Sequence, residues 1–313
     1  MTRTAVVWDE RYTFHEMGYG HPESPRRLLS IREVIEGDGV GRELVRLDPR
    51  EATVEEIALV HDQSYIKRIA ATSGQEMTAL DPDTSANAYT WNSARLAAGG
   101  FLVCVEAVLK GKPGNAFAFV RPPGHHAERG RAMGFCIFNN VAIAAEWLIK
   151  AHGLERVAIV DFDVHHGNGT QHAFYDRPDV FFASVHRFPF YPGTGASSET
   201  GEGKGKGTTL NVPLEVGADD DDYRRALEEK IIPAVERFSP QYILVSAGFD
   251  SHVSDPLGGM RVTTNGFRWI MRALVDLAQS ACNGKLAVTL EGGYNLKVLR
   301  DCAEAQLEEM VGK

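Results

Sequence analysis

What most constrains this chain is an alternation of short apolar runs, of strand length and rich in β-branched residues, with longer stretches of helical periodicity. The runs fall at 5–8, 116–120, 157–160, 180–185, 242–245 and 286–290. The helical stretches include 93–109, 140–151, 222–237 and 264–281. Strand alternating with helix implies a mainly parallel sheet covered by helices on both faces. Runs without a polar side, such as Val-Ala-Ile-Val at 157–160, fit strands buried on both faces. The expected fold class is therefore α/β: a single-domain three-layer α/β/α with a mainly parallel central sheet, spanning 1–313. No repeat and no shift of composition divides the chain. The stretch 192–207, dense in Gly, Ser and Lys, reads as a loop. The aspartates at 219–222 read as the acidic first turn of a helix, and Pro233 as a kink or break in it.

Charge and cysteine usage narrow the class. The chain carries 33 basic and 42 acidic residues, a net charge of −9. That argues against a partner gripped through phosphates, so no direct nucleic-acid contact is expected. Cys104, Cys136, Cys282 and Cys302 form no CxxC pair, which argues against a thiolate zinc site or thioredoxin chemistry. They read as reduced core thiols of a cytoplasmic protein. The apolar run at the N-terminus is too short for a signal peptide. No uncharged stretch approaches the roughly 20 residues needed to span a bilayer, so no membrane contact is expected.

The informative pattern lies in the polar residues just after each apolar run. The run at 116–120 leads into Arg-Pro-Pro-Gly and then His125 and His126. The run at 157–160 leads into Asp161, Asp163, His165 and Asn168. The run at 242–245 leads to Asp250, and the run at 286–290 to Gly292, Gly293 and Tyr294. Open parallel sheets bind ligands at the carboxyl ends of their strands, so four strands would deliver His, Asp and Tyr to one edge.

In an extended segment, residues i, i+2 and i+4 share a face. Asp161, Asp163 and His165 would then point the same way. Alone, this pattern also fits helix-capping aspartates beside a hydrogen-bonded histidine. With Asp250 arriving from another strand, it fits a catalytic zinc that takes three protein ligands and keeps one position open. Adjacent histidines can act as general base and general acid, because imidazole titrates near neutral pH; surface-loop histidines are the alternative. Tyr294, behind two glycines, could donate to a developing oxyanion or pack behind a Gly-rich turn.

Together these residues resemble the histone deacetylase superfamily, with its arginase/deacetylase fold. The matching segments are RPPGHH (121–126), GFCIFNN (134–140), VDFDVHHGNGTQ (160–171), SVHRFPFYPGTG (184–195), SAGFDSHVSDPLGG (246–259) and LEGGYN (290–295). GHPESPRR (20–27) and VHDQSYI (60–66) also fit. HHGNGTQ and DPLGG resemble class II enzymes and bacterial deacetylase-like amidohydrolases more than class I.

The resemblance implies a zinc-dependent deacetylase that hydrolyses the N-acetyl amide of acetyl-lysine, in protein or peptide, to acetate and a free amine. It implies a metal-activated water, with Asp163, His165 and Asp250 holding Zn2+ and ferrous iron as the alternative ion. His125 and His126 would be the acid–base pair, with His126 the base, and Tyr294 would polarise the carbonyl. Asp161 would orient His125. Asn168 stands behind His126, where class I enzymes carry aspartate, so His126 should be the less basic of the two. Gly134 would offer its carbonyl to the substrate amide, and Phe135 and Tyr191 would flank a narrow tunnel. An inner K+ site would use Asp161, Asp163, His165, Ser184 and Val185; an outer one would use Phe174, Arg177 and Val180. Arg27 matches an arginine near an internal channel.

The alternative substrate is an acetylpolyamine or another small acylated amine. Polyamine-selective relatives can carry glutamate at the rim position held here by Leu257, and leucine cannot pair with a second cationic nitrogen. Glu76, Asp81 or Asp83 could supply that carboxylate from another loop. A non-catalytic acyl-lysine binding module is a further alternative, disfavoured by the presence of Tyr294, both histidines and all three ligands. A manganese ureohydrolase is disfavoured because the chain reads DFDVHHGN where that branch carries an extra aspartate. Oligomeric state is not legible.

Overall fold

The computed structural model describes residues 4–312. Residues 1–3 and 313, which include the start of the segment read for a leader and both ends of the expected 1–313 unit, lie outside the described residues. In chain order the main elements are β1 (Thr4–Val7), α1 (Arg26–Glu36), β2 (Val45–Arg46), α2 (Val54–Ile57), α3 (Gln63–Ala70), β3 (Met77–Asp81), β4 (Thr84–Asn87), α4 (Thr90–Leu109), β5 (Asn115–Ala118) and α5 (Asn140–His152). They continue with β6 (Val157–Asp161), α6 (Asn168–Phe174), β7 (Val180–Arg187), β8 (Thr209–Leu214), α7 (Asp220–Ala226), α8 (Ile232–Phe238), β9 (Tyr242–Ala247), α9 (Thr264–Cys282), β10 (Leu286–Leu290) and α10 (Leu296–Val311).

Eight strands form one parallel sheet in the order β2-β1-β5-β10-β9-β6-β7-β8. Helices α4 and α5 pack on one another and on β5, β10, β6 and β9, whereas α9 and α10 pair and cover β9 and β1. Every residue of β1, β6, β9 and β10 is buried. This is the expected three-layer α/β architecture, and the runs at 157–160, 242–245 and 286–290 are strands within a residue or two of the expected bounds.

Several elements depart from expectation for identifiable reasons. β8 carries Asn211 and Pro213, which break an apolar run; as the last strand of the sheet it tolerates a proline that a central strand would not. The helical pattern 222–237 is split by a π turn at Leu227–Ile231, just before Pro233. The wider turn accommodates a ring that would otherwise meet the carbonyl four residues back. At the start of α7, Asp219 and Asp222 form a capping box, so the acidic stretch is a helix cap as expected. The stretch 192–207 is a loop with one 3-10 turn, Gly203–Gly205. Helix α4 is long and apolar enough to cross a membrane although it includes Arg95 and Glu106. Here Leu96, Phe101, Leu102 and Val105 are buried in the core.

Candidate active site

The four strands whose tails carry His, Asp and Tyr are neighbours: β5, β10, β9 and β6 are consecutive in the sheet. Parallel pairing then brings their carboxyl ends to one edge. The expected shared face of Asp161, Asp163 and His165 is not formed by a strand, because β6 ends at Asp161. Asp161 Oδ1 accepts the backbone N–H of Asp163 at 3.0 Å, and Asp163 Oδ1 accepts that of His165 at 2.9 Å. Each aspartate thus turns its own backbone two residues on. As a result Asp161 faces His125, and Asp163 and His165 meet Asp250.

One donor atom each from Asp163, His165 and Asp250 lies within 4.8 Å of the others. His165 Nδ1 is 3.1 Å from Asp163 Oδ1 and 3.2 Å from Asp250 Oδ2. Asp163 Oδ2 accepts the N–H of Gly292 at 2.8 Å, and Asp250 Oδ1 that of Val164 at 3.0 Å. Asp250 Oδ2 is buried and accepts no well-formed hydrogen bond. Burial opposes a charge on His165, but the two carboxylates beside it win and push it up to about 9. The site therefore demands positive charge. Two carboxylates, an imidazole and one orphaned oxygen fit a divalent ion held by three protein groups. Gly292 is required by this crowding, since a Cβ there would collide with Asp250 Oδ2.

His125, Cys136 and Glu291 form a second compact group of donors. Glu291, however, already accepts from Gly124 N, His125 N and Ser246 Oγ. Its oxygens hold the histidine loop against β10 and β9.

The two adjacent histidines lie with ring centroids 4.0 Å apart and both are buried. His125 Nδ1 is 2.9 Å from Asp161 Oδ2. His126 Nδ1 is 2.7 Å from Asn168 Oδ1. Burial disfavours the imidazolium in both. For His125 the carboxylates of Asp161, Asp163 and Glu291 outweigh it and raise the group to about 10. For His126 burial is reinforced by His125 and His165, which keep it well below the usual histidine range. The surroundings thus push the two rings in opposite directions, His125 toward the imidazolium and His126 toward the neutral imidazole.

Tyr294 faces this group from the loop after β10. Its backbone N–H donates to Asp255 Oδ2 at 2.7 Å, while Asp255 Oδ1 accepts from Leu257 N at 2.9 Å. Arg27 lies 5.0 Å over its ring, and Phe135 meets that ring edge-on at 5.8 Å. Burial keeps the phenol protonated, well above its ordinary range. A cavity of about 140 Å³ is lined by His125, His126, His165, Gly134, Phe135, Tyr191, Leu257, Tyr294 and Asp83, among others. Tyr191 stands perpendicular to His126 with centroids 5.2 Å apart. Gly134 and Phe135 are both left-handed, with φ of 56° and 68°. A non-glycine residue there costs of order 1–3 kcal/mol and persists only where its surroundings impose it. The β3–β4 hairpin does so: Gly134 N donates to Asp83 Oδ1 at 3.0 Å and Phe135 N to Thr84 Oγ1 at 2.9 Å. The Gly134 carbonyl accepts the Cys136 thiol at 3.3 Å.

Glu23 and Arg121 lie in matching segments without an assigned role, and Arg27 has one only through the resemblance. Arg121 and Arg27, both fully buried, converge on the fully buried Glu23. Arg27 also donates to the carbonyls of Gly293 (2.7 Å) and Glu291 (2.5 Å), clamping the loop that presents Tyr294. Of the three acidic candidates for the rim, Asp83 lines the cavity, Asp81 ends β3 and Glu76 is exposed. The residues read for potassium fall at opposite ends of the β6–β7 pair. Asp161 is in register with Ser184 at the carboxyl end, and Val157 with Val180 at the other. Arg177 binds Asp179 and Glu146 with its side chain, Val185 lies within β7, and Phe174 ends α6.

The family model of the histone deacetylase domain matches residues 21–310. A probable deacetylase of Archaeoglobus fulgidus is 41% identical over 94% of this chain and 82% of its own length. A histone deacetylase-like amidohydrolase of Pseudomonas aeruginosa is 37% identical over 99% of this chain and 86% of its own. The crystal structure of the HDA15 HD domain superposes with a TM-score of 0.95 at 40% identity, over 100% of this chain and 90% of that one.

Proposed function

The chain belongs to the histone deacetylase family, and on that footing we propose that it is a zinc-dependent deacetylase that removes acetyl groups from lysine side chains. One observation carries the reading: Asp163, His165 and Asp250 converge beside His125, His126 and Tyr294 on one narrow cavity. Zinc, or ferrous iron, held by those three residues would supply Lewis acidity toward the carbonyl and toward water. Phe135, Tyr191 and Leu257 accept the aliphatic lysine stem, and apolar walls disfavour the charged ammonium of the unmodified side chain. The Gly134 carbonyl accepts the substrate amide N–H. His126, neutral near pH 7, takes the proton of the attacking water at Nε2. Tyr294 donates its hydroxyl to the oxygen that gains charge. His125, protonated by its carboxylate neighbours, gives its proton to the leaving amine. Acetate and a free amine result. Alkali ions at the two ends of β6–β7 belong to the same reading as K+ sites. The four free, buried cysteines support a reducing, cytoplasmic setting.

A second reading has support of its own. Asp83 lines the same cavity as Leu257, and its carboxylate could pair there with the distal cation of an acetylpolyamine. Parallel assays of the zinc-loaded protein on an acetyl-lysine peptide and on N-acetylputrescine test both. Higher kcat/KM on the peptide is expected. Higher kcat/KM on the polyamine would shift the assignment to Asp83-directed amine recognition, and turnover of neither would overturn both.

A further inference from the structure

Behind His126 runs a chain of side chains that ends at the surface. His126 Nδ1 is 2.7 Å from Asn168 Oδ1, and Asn168 Nδ2 donates to Glu128 Oε1 at 2.5 Å. Glu128 Oε1 is in turn 2.9 Å from His172 Nδ1. Asn168 is buried, Glu128 half-buried and His172 half-exposed at the edge of a surface hollow. The resemblance accounts for Asn168 but assigns nothing to Glu128.

An asparagine amide is ambiguous: it can turn its oxygen or its NH2 toward a neighbour. A carboxylate is not, because ionised it only accepts. With Glu128 at 2.5 Å, the Asn168 NH2 must face Glu128, since the flipped amide would set oxygen against oxygen. Asn168 Oδ1 must then face His126, so His126 Nδ1 must carry the hydrogen. The lone pair is left on Nε2, which opens toward the cavity. Were the amide reversed, His126 would hold its hydrogen on Nε2 and could not accept a proton there. We propose that Glu128 is a positioning residue for the deacetylation step: through Asn168 it fixes the His126 tautomer that can act as base. It touches neither substrate nor metal ligand. This rests on the reading of His126 as the base, and its test has a readout independent of turnover.

The test uses zinc-loaded protein with 15N-labelled histidine, observed by long-range 1H–15N correlation, together with steady-state kinetics. Wild type should show His126 as the Nδ1–H tautomer. Glu128→Gln, which can donate or accept, should show a mixed signal and lose about tenfold to a hundredfold in kcat with little change in KM, less than the loss seen where a triad histidine is held in the wrong tautomer. Asn168→Asp should be impaired at least as much, because two carboxylates then face one another. The double variant Asn168→Asp with Glu128→Gln restores one donor and one acceptor, and should recover at least about tenfold of what the single Asn168→Asp lost. A merely structural Glu128 would give no such recovery. The proposal is overturned if wild-type His126 is the Nε2–H tautomer, if Glu128→Gln leaves tautomer and kcat unchanged, or if the double variant is no better than Asn168→Asp. Failure of the functional reading is separate: it shows as undiminished turnover in His126→Ala.

Discussion

The carboxylate of Asp255 accepts the backbone N–H of Tyr294 at 2.7 Å, and through its other oxygen ties Leu257 to the same turn. One side chain thus sets both the phenol aimed into the cavity and the residue at its rim. Asp255→Ala should lower kcat on the acetyl-lysine peptide by about tenfold to a hundredfold, the range expected for losing a hydrogen bond to a charged acceptor. Asp255→Asn, which keeps one acceptor, should lose less. Equal kcat in wild type and Asp255→Ala would remove Asp255 from the positioning of Tyr294.

Tyr294→Phe deletes only the hydroxyl. Its ring contacts with Phe135 and Arg27 can remain, so Tm should stay close to wild type. kcat should fall about a hundredfold or more, as when an oxyanion donor is lost. A variant that is slow because it is misfolded would instead show a lowered Tm.

Metal content offers a check without substrate. Asp250→Ala and Asp163→Ala should purify with little bound zinc by elemental analysis, whereas Tyr294→Phe should retain it. Treating wild type with a chelator should lower Tm and abolish turnover, and added zinc should restore both, because an ion that binds only the folded state stabilises it. Full zinc occupancy in Asp250→Ala would refute the ligand assignment.

Glu23 provides a pH test. Burial opposes its ionisation, but Arg121 and Arg27 more than compensate and hold it down to about 2. The folded value lies below the unfolded one, so the stabilisation is present above about pH 4.5 and is lost as pH falls toward 2; its size is about 3 kcal/mol. Glu23→Gln cannot titrate and leaves two buried guanidinium groups uncompensated. Urea unfolding should show it about 3–5 kcal/mol less stable than wild type at pH 7. The gap should narrow between pH 4 and pH 2, and a gap independent of pH would contradict the ion-pair account.

Phe135 separates backbone strain from wall-building. Phe135→Ala and Phe135→Gly both remove the ring, so both should raise KM. Only glycine adopts φ near 68° without strain, so Phe135→Gly should be the more stable of the two by about 1 kcal/mol in urea unfolding. Equal stability would mean that the segment relaxes once the ring is gone.

The sequence revealed what is contiguous in it. Buried parallel strands are unbroken apolar runs, so β5, β6, β9 and β10 could be read in place, and the polar groups after them, His125, His126, Asp163, His165, Asp250 and Tyr294, lie together at one edge. What escaped is held by distant chain. Asp255 lay inside a matching segment but showed no role until its carboxylate met the Tyr294 backbone. Asp83 was one of three candidate rim carboxylates, and which of them lines the cavity depended on how the β3–β4 hairpin folds over Gly134. Glu128 sits two residues after His126 in sequence, yet acts on it only by way of Asn168. At Asp161 the shared face fails because period-two logic holds only while a strand continues, and here an aspartate bends its own backbone.

The sheet order has a consequence for how the molecule is made. β10, the last strand in the chain, lies between β5 and β9 at the middle of the sheet. A chain growing from its N-terminus completes β5 long before residues 286–290 exist, and β9 also precedes them. Until then two apolar strand edges, destined for the interior, have no partner, and such edges invite pairing with other chains. A nascent chain stalled before β10 should therefore be aggregation-prone and a client for chaperones. The final strand that closes the sheet also carries in the loop with Tyr294, so the enzyme cannot be armed before β10 has joined its neighbours.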